Sequence, residues 1–150
     1  MSPDARLDKT YTSVLGGYSI DYPSDWSVKP APGPWTSGYD TQTPSDTIGN
    51  SPTIYGTSRK LPAGMSFVTW FAAYDAHRTA STCAATSFND TITIDGALGY
   101  LDVHCSSHYL EAVVPKGGRA YVFTMFTPYT RPMFESFLAT IRLDPASAKN

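Results

Sequence analysis

Two residue types that favour helices are in short supply in this chain. Glutamate occurs only at Glu111 and Glu135, and lysine is scarce. Charged residues amount to 16% of the chain, while serine and threonine are abundant. Threonine and tyrosine suit pleated surfaces, so the composition predicts a strand-rich protein. Exported proteins share this bias. The formal net charge is only −2. No basic field exists to draw in nucleic acid or an anionic membrane surface, so nucleic acid is not expected as a partner. The longest apolar runs, such as Phe67 to Tyr74, are too short to span a bilayer. No secretory h-region is present either, because Met1 to Thr10 is polar. Either the protein is cytoplasmic, or Met1 stands where an export signal or membrane anchor has been removed; the second reading is adopted.

Catalytic signatures are also missing. The chain contains no G-x-S-x-G elbow, no S-x-x-K and no H-E-x-x-H. Gly117-Gly118-Arg119 lacks the Gly-Lys-Ser/Thr pattern and the following helix of a phosphate loop. Glu111 and Glu135, the pair a glycosidase would need, read as exposed strand and helix positions. The expectation is a non-enzyme with no cofactor.

What is present is enough to fold. A chain of 150 residues with 41% hydrophobic and 13% aromatic residues is the usual size of one domain and can bury a real core. Tyr11 to Leu15 and Tyr18 to Tyr22 read as a hairpin around Gly16-Gly17. Residues 29–53 are rich in proline and glycine and have no periodicity; a short helix near Pro44 to Ile48, capped by Ser45 or Asp46, is the one element expected there. Ile54 to Ser58 reads as an edge strand. Met65 to Tyr74 reads as a strand covered on both sides, since both alternating faces are apolar. Asp75 to Ala85 then reads as a helix capped by Asp75. Asp95-Gly96 between alternating runs predicts a type I′ hairpin pairing Ile94 with Ala97. That register puts Tyr100, Asp102 and His104 on one face, read as solvent-facing. Tyr109 to Val114 and Arg119 to Phe126 form a second hairpin. Thr130 caps a last helix whose Phe134, Phe137, Leu138 and Ile141 make an apolar stripe.

Three groups of residues are candidates for function or linkage. The hairpin register places Thr86 opposite Cys105, and Cys83 lies three residues earlier. A loop or helix end there brings the Cβ atoms within the roughly 4 Å that a bridge needs, and closing the loop is worth roughly 3 kcal/mol. The alternative is two buried thiols; a Cys83–Cys105 disulfide is the expected state and belongs outside a reducing cytosol. Asp102, His104 and His108 are weak metal candidates, as their spacing matches no standard zinc pattern. Trp35 and Tyr39 in the proline-rich loop, with Tyr55 beside it, are candidate binding aromatics. The competing reading folds Trp35 back onto the core beside Trp26.

The two ends of the chain carry a resemblance. Gly17-Tyr18-Ser19-Ile20-Asp21-Tyr22-Pro23, followed by Trp26, resembles the opening strand of PsbP-like domains. Gly118-Arg119-Ala120-Tyr121-Val122-Phe123-Thr124, then Phe134, Phe137, Leu138, Thr140 and Ile141, is similar to their closing strand and helix. The likeness spans most of residues 11–143; residues 29–65 match no part of it. It implies an α+β fold, an α/β/α sandwich with a mostly antiparallel central sheet and a C-terminal helix packed on it. It also implies binding instead of catalysis. Members include a lumenal subunit of photosystem II, a nuclear-transport factor and many bacterial exported or lipoprotein modules, which this chain resembles more. The reading is therefore one PsbP-like domain over 11–143, a flexible lead-in (1–10) and a flexible tail (144–150). Its role is that of an extracytoplasmic binding domain, either secreted, periplasmic or the soluble ectodomain of a membrane-anchored bacterial envelope protein, whose partner is a protein or an envelope component. The alternative is a small-ligand or carbohydrate module with a pocket lined by Trp70, Tyr100 or Tyr109. Mass spectrometry of native protein without reductant tests the cysteine reading: the intact mass should rise by two hydrogens on reduction, and an unchanged mass would mean free thiols.

Overall fold

Asp95 and Gly96 both take positive φ, 47° and 80°. Asparagine, aspartate and glycine tolerate that region best, so the turn is type I′ and the register follows: Ile94 pairs with Ala97 and Asp90 with Leu101. The computed structural model describes residues 6–40, 44–49, 52–82, 90–102, 109–126 and 130–149. The elements are β1 (Lys9–Ser13), β2 (Tyr18–Tyr22), β3 (Val28–Lys29), β4 (Asp46–Gly49), β5 (Thr53–Lys60), α1 (Phe67–Thr82), β6 (Asp90–Ile94), β7 (Ala97–Asp102), β8 (Tyr109–Lys116), β9 (Arg119–Phe126), α2 (Arg131–Leu138) and β10 (Arg142–Leu143), then a 3-10 turn at Pro145–Ser147. A seven-stranded sheet runs β3-β4-β5-β9-β8-β7-β6, and a three-stranded sheet runs β1-β2-β10. Every described pairing is antiparallel.

Strand alternation gives the large sheet two apolar faces. Tyr121, Phe123 and Met125 of β9 point to one side with Ile54, Ala112, Val114 and Leu101. The small sheet and α2 cover them through Tyr18, Ile20, Phe134, Phe137, Leu138, Ile141 and Leu143. Ala120, Val122 and Val113 point the other way, under α1 and the loop after β3, which supply Trp70, Phe71, Tyr74 and Trp35. The fold is thus α+β, three layers deep, as expected from the sequence.

One buried carboxylate joins three of these parts. Asp46 of β4 is 3% exposed. It accepts from the Tyr18 hydroxyl at 2.7 Å, the Tyr11 hydroxyl at 3.0 Å and the Ala31 backbone N–H at 2.8 Å. Small sheet, large sheet and loop therefore meet on one side chain. Its register partner is Gly56. A Cβ there would collide with the Tyr18 hydroxyl, so glycine leaves the space the phenol occupies.

Several expectations are corrected. Met65 to Tyr74 is not a strand: Phe67 onward is helix α1, and Phe67, Trp70, Phe71 and Tyr74 form its inward stripe at i, i+3, i+4, i+7. Its cap is Ser66, whose Oγ accepts from the Thr69 N–H at 3.2 Å; Asp75 sits within the helix. Pro44 to Ile48 holds no helix but strand β4, because Asp46 is needed as an acceptor in the sheet. Ile54 to Ser58 is no edge: β5 lies between β4 and β9 and is buried over most of its length. Glu111 and Asp102, read as exposed, are 4% and 0% exposed; Glu111 lies under α1, where the Tyr74 hydroxyl donates to it. Thr130 does cap α2, accepting from the Met133 N–H at 3.3 Å. After Pro145 the backbone still makes contact: the Lys149 N–H donates to Val14 O at 3.1 Å.

Three phenols in this core are held neutral. Burial first, and the Asp46 carboxylate second, push Tyr18 and Tyr11 well above the ordinary 10.0. Burial pushes Tyr121 up to about 12, against the opposing charge of Arg119. A raised phenol favours folding fully below pH 10, where both states are protonated, and that stability is lost as pH climbs towards the folded value. Alkaline titration should thus show fewer than the ten tyrosines ionising at about pH 11 while circular dichroism stays native. The rest should ionise only as the chain unfolds. A single native transition of all ten near pH 10 would contradict this.

Candidate functional site

The α1-side face of the large sheet is arranged in rows across the strands. Thr57, Val122, Val113 and Tyr100 form one row through their pairings. This row is mostly apolar and lies under the first half of α1, where Phe71 stacks on Tyr100 at 4.2 Å between ring centroids and Phe67 at 6.2 Å. The next row is polar: Tyr55, Thr124, Glu111 and Asp102. Burying two carboxyl side chains on adjacent strands is costly unless they are hydrogen-bonded. Glu111 Oε1 accepts from the Tyr74 hydroxyl at 3.1 Å and Oε2 from the Thr124 hydroxyl at 3.2 Å. Tyr74 thus ties α1 to the sheet where the apolar packing ends.

Beyond the polar row the strands run out at an aromatic end. Phe126, last residue of β9, pairs with Tyr109, first residue of β8. The Phe126 ring meets Tyr55 edge-on at 5.4 Å and Tyr109 at 5.8 Å. Tyr55 and Tyr109 are half-buried, and Phe126 is 38% exposed. In a protein that buries Trp70, Phe123, Phe134 and Phe137 almost completely, three such rings at one sheet end form an apolar contact surface. β5, β6 and β8 begin, and β7 and β9 end, at this same end.

The loop after β3 is pinned above the face beside it. Trp35 is 3% exposed and packs against Trp70 at 5.9 Å, not beside Trp26, which stacks on Phe137 at 5.2 Å in the opposite core. Arg59 is buried under the same loop. Its Nη1 donates to Gly38 O at 3.0 Å and its guanidinium lies 5.8 Å from the centre of the Trp35 ring. Burial holds the Arg59 pKa below its usual value, with Tyr39 opposing. Tyr39 is half-buried, its ring against Trp70, Tyr74 and the exposed His77 at 5.8, 6.4 and 5.8 Å. The indole N–H groups of Trp35 and Trp70 have no acceptor among the described residues, so ring packing and the Arg59 bond hold this layer.

The candidate residues are therefore distributed unevenly. Trp35 is in the core, Tyr39 lies half-buried against α1, and Tyr55 reaches the aromatic end. Asp102 lies within the described residues and is fully buried in the polar row. His104, His108, Cys83 and Cys105 lie outside them. Trp70 is fully buried on the inward face of α1, and Tyr100 lies half-buried beneath that helix, stacked on Phe71. Glu135 sits exposed on α2, bonded to Arg131 at 2.7 Å, while Glu111 faces α1 across the sheet; the two acids do not face one another. In the sequence Tyr109 reads only as a pocket lining and Glu111 only as an exposed strand position, and Phe126 is not singled out. Alternation from Val113 and Val122 would have found them once the covering segment was known to be a helix.

No family model matches the chain, and no curated protein matches it. The structure is similar to the solution structure of cyanobacterial PsbP (CyanoP) from Synechocystis sp. PCC 6803, with a TM-score of 0.59 and 14% identity over 95% of this chain and 96% of that one. It is also similar to a crystal structure of a protein from Bacteroides thetaiotaomicron VPI-5482, with a TM-score of 0.56 and 13% identity over 97% of this chain. This chain spans about half of that protein, 52% of its length. Similarity along nearly the whole chain, together with the strand and helix patterns at its two ends, gives this protein the PsbP-like fold.

Proposed function

We propose that the chain is a non-catalytic binding domain that works outside the cytoplasm, in contact with a protein of the cell envelope. Its contact surface is the aromatic end of the α1-side face: Tyr55, Phe126 and Tyr109, with Tyr39 on the same side. The observation that carries this reading is the edge-to-face cluster centred on Phe126, 38% exposed at the sheet end. Rigid, partly exposed aromatic rings backed by a packed core are the side chains on which protein contacts most often depend. The PsbP-like fold supports binding over catalysis. The polar composition and the cysteine pair support an oxidising compartment. As the ectodomain of a tethered protein, the domain would hold its partner near the membrane.

A photo-crosslinking amino acid at position 126, introduced in the native host, should trap a discrete protein adduct, while the same group at the exposed Ser136 of α2 should not. Phe126→Ala should weaken the trapped interaction roughly tenfold to a hundredfold and leave the melting temperature within a few degrees. An adduct pattern identical at both positions would defeat the reading, as would binding that survives the substitution. Binding of soluble oligosaccharide lost in Phe126→Ala would instead favour the carbohydrate alternative.

A further inference from the structure

The two edges of the large sheet are built differently. At one edge, β3 is two residues long, ends in Lys29 and runs into Pro30. A short strand, a lysine and a proline are the usual devices that keep a sheet edge from pairing with another chain. At the other edge, β6 is five residues long, Asp90-Thr91-Ile92-Thr93-Ile94, with no lysine and no proline. Among the described residues it pairs with β7 alone. Thr91 and Thr93 are exposed, and Ile92 is half-buried.

We infer that β6 is a self-association edge, and that two copies of this chain pair antiparallel through it about a two-fold axis at Ile92. The occupant is a second copy because the strand is complementary to itself. In that register Thr91 faces Thr93 of the other copy, Ile92 faces Ile92, and Asp90 faces Ile94. Threonine pairs and β-branched pairs are favourable neighbours across strands, and like charges are the unfavourable ones. The one charge of the strand, Asp90, is kept away from its own copy and is already held by Arg131 at 2.6 Å. The pairing is isologous and closes at two subunits. It leaves the aromatic surface around Phe126 unused, since Phe126 lies on β9, three strands in from β6.

Sedimentation of the full chain from micromolar to millimolar concentration tests this. The wild type should pass from 16.3 kDa to twice that mass. Thr91→Lys/Thr93→Lys places like charges opposite one another twice across the axis and should weaken association about tenfold or more. Thr91→Lys/Thr93→Glu places opposite charges at the same positions and should restore it. Both variants alter exposed positions, so their melting temperatures should stay near the parent's. Independently of any variant, hydrogen exchange at the β6 amides should slow as wild-type concentration rises. A wild type that stays monomeric throughout overturns the inference, whether or not some other chain pairs there. A double-lysine variant that dimerises like the parent, or a lysine–glutamate variant as monomeric as the double-lysine one, overturns it too.

Discussion

The architecture depends on a carboxylate buried between two sheets. Asp46 accepts hydrogen bonds from β1, β2 and the loop after β3 while itself belonging to β4. A buried acceptor deprived of its donors is far more costly than a bond is favourable, so the bonds form together or the layer does not close. Packing reinforces this. The Tyr18 ring lies edge-on to Phe123 at 5.0 Å, and Gly56 leaves room for its hydroxyl. A second set of bonds closes the other end of the same interface. Ser58 Oγ, which accepts from Arg119 at 2.9 Å, donates to Gly16 O at 2.5 Å, and the Tyr121 hydroxyl donates to Gly17 O at 3.0 Å. The small sheet is therefore fastened to the large one by polar bonds inside an apolar layer, which fixes one relative position among the many that apolar contact alone would allow.

The opposite face is held in another way, and the difference bears on function. There α1 and the loop attach mainly through ring stacking, with Tyr74–Glu111 and Arg59–Gly38 as the fastening bonds. The apolar contact stops at the polar row, and the sheet continues past it to Phe126 and Tyr109. A surface of aromatic rings is thereby left at the end of the sheet, where the contact proposed above would need no prior ordering of the rings. Strand order also keeps this surface apart from the β6 edge, so two copies joined at β6 would carry two such surfaces.

Much of the fold was legible in the sequence, and the failures share one cause. Asp95-Gly96, Gly117-Gly118 and the Thr130–Pro132 start of α2 are local signals, and each led to the right element. Phe67 to Tyr74 misled because a run that is apolar on both alternating faces fits a buried strand and a helix equally well over eight residues. The error spread: with α1 taken as a strand, nothing covered the Asp102 and Glu111 face, and both acids appeared solvated. Asp46 misled for a related reason. Next to Pro44 and Ser45 an aspartate looks like a helix cap, and only the folded chain brings Tyr11 and Tyr18, 35 and 28 residues away, within bonding distance. Trp35 could not be assigned to a core without knowing that α1 presents Trp70 to it. Of the candidate contact residues, Tyr55 alone reaches the exposed aromatic end.

Removal of the shared acceptor tests this account most directly. Urea unfolding of Asp46→Ala and Asp46→Asn, read beside the wild type, should show the alanine variant losing roughly 2–4 kcal/mol, because two phenol hydroxyls and one backbone N–H lose their common partner. The asparagine variant, which keeps one acceptor oxygen, should lose less. An alanine variant within about 0.5 kcal/mol of the parent would contradict the claim that this carboxylate fastens the two sheets.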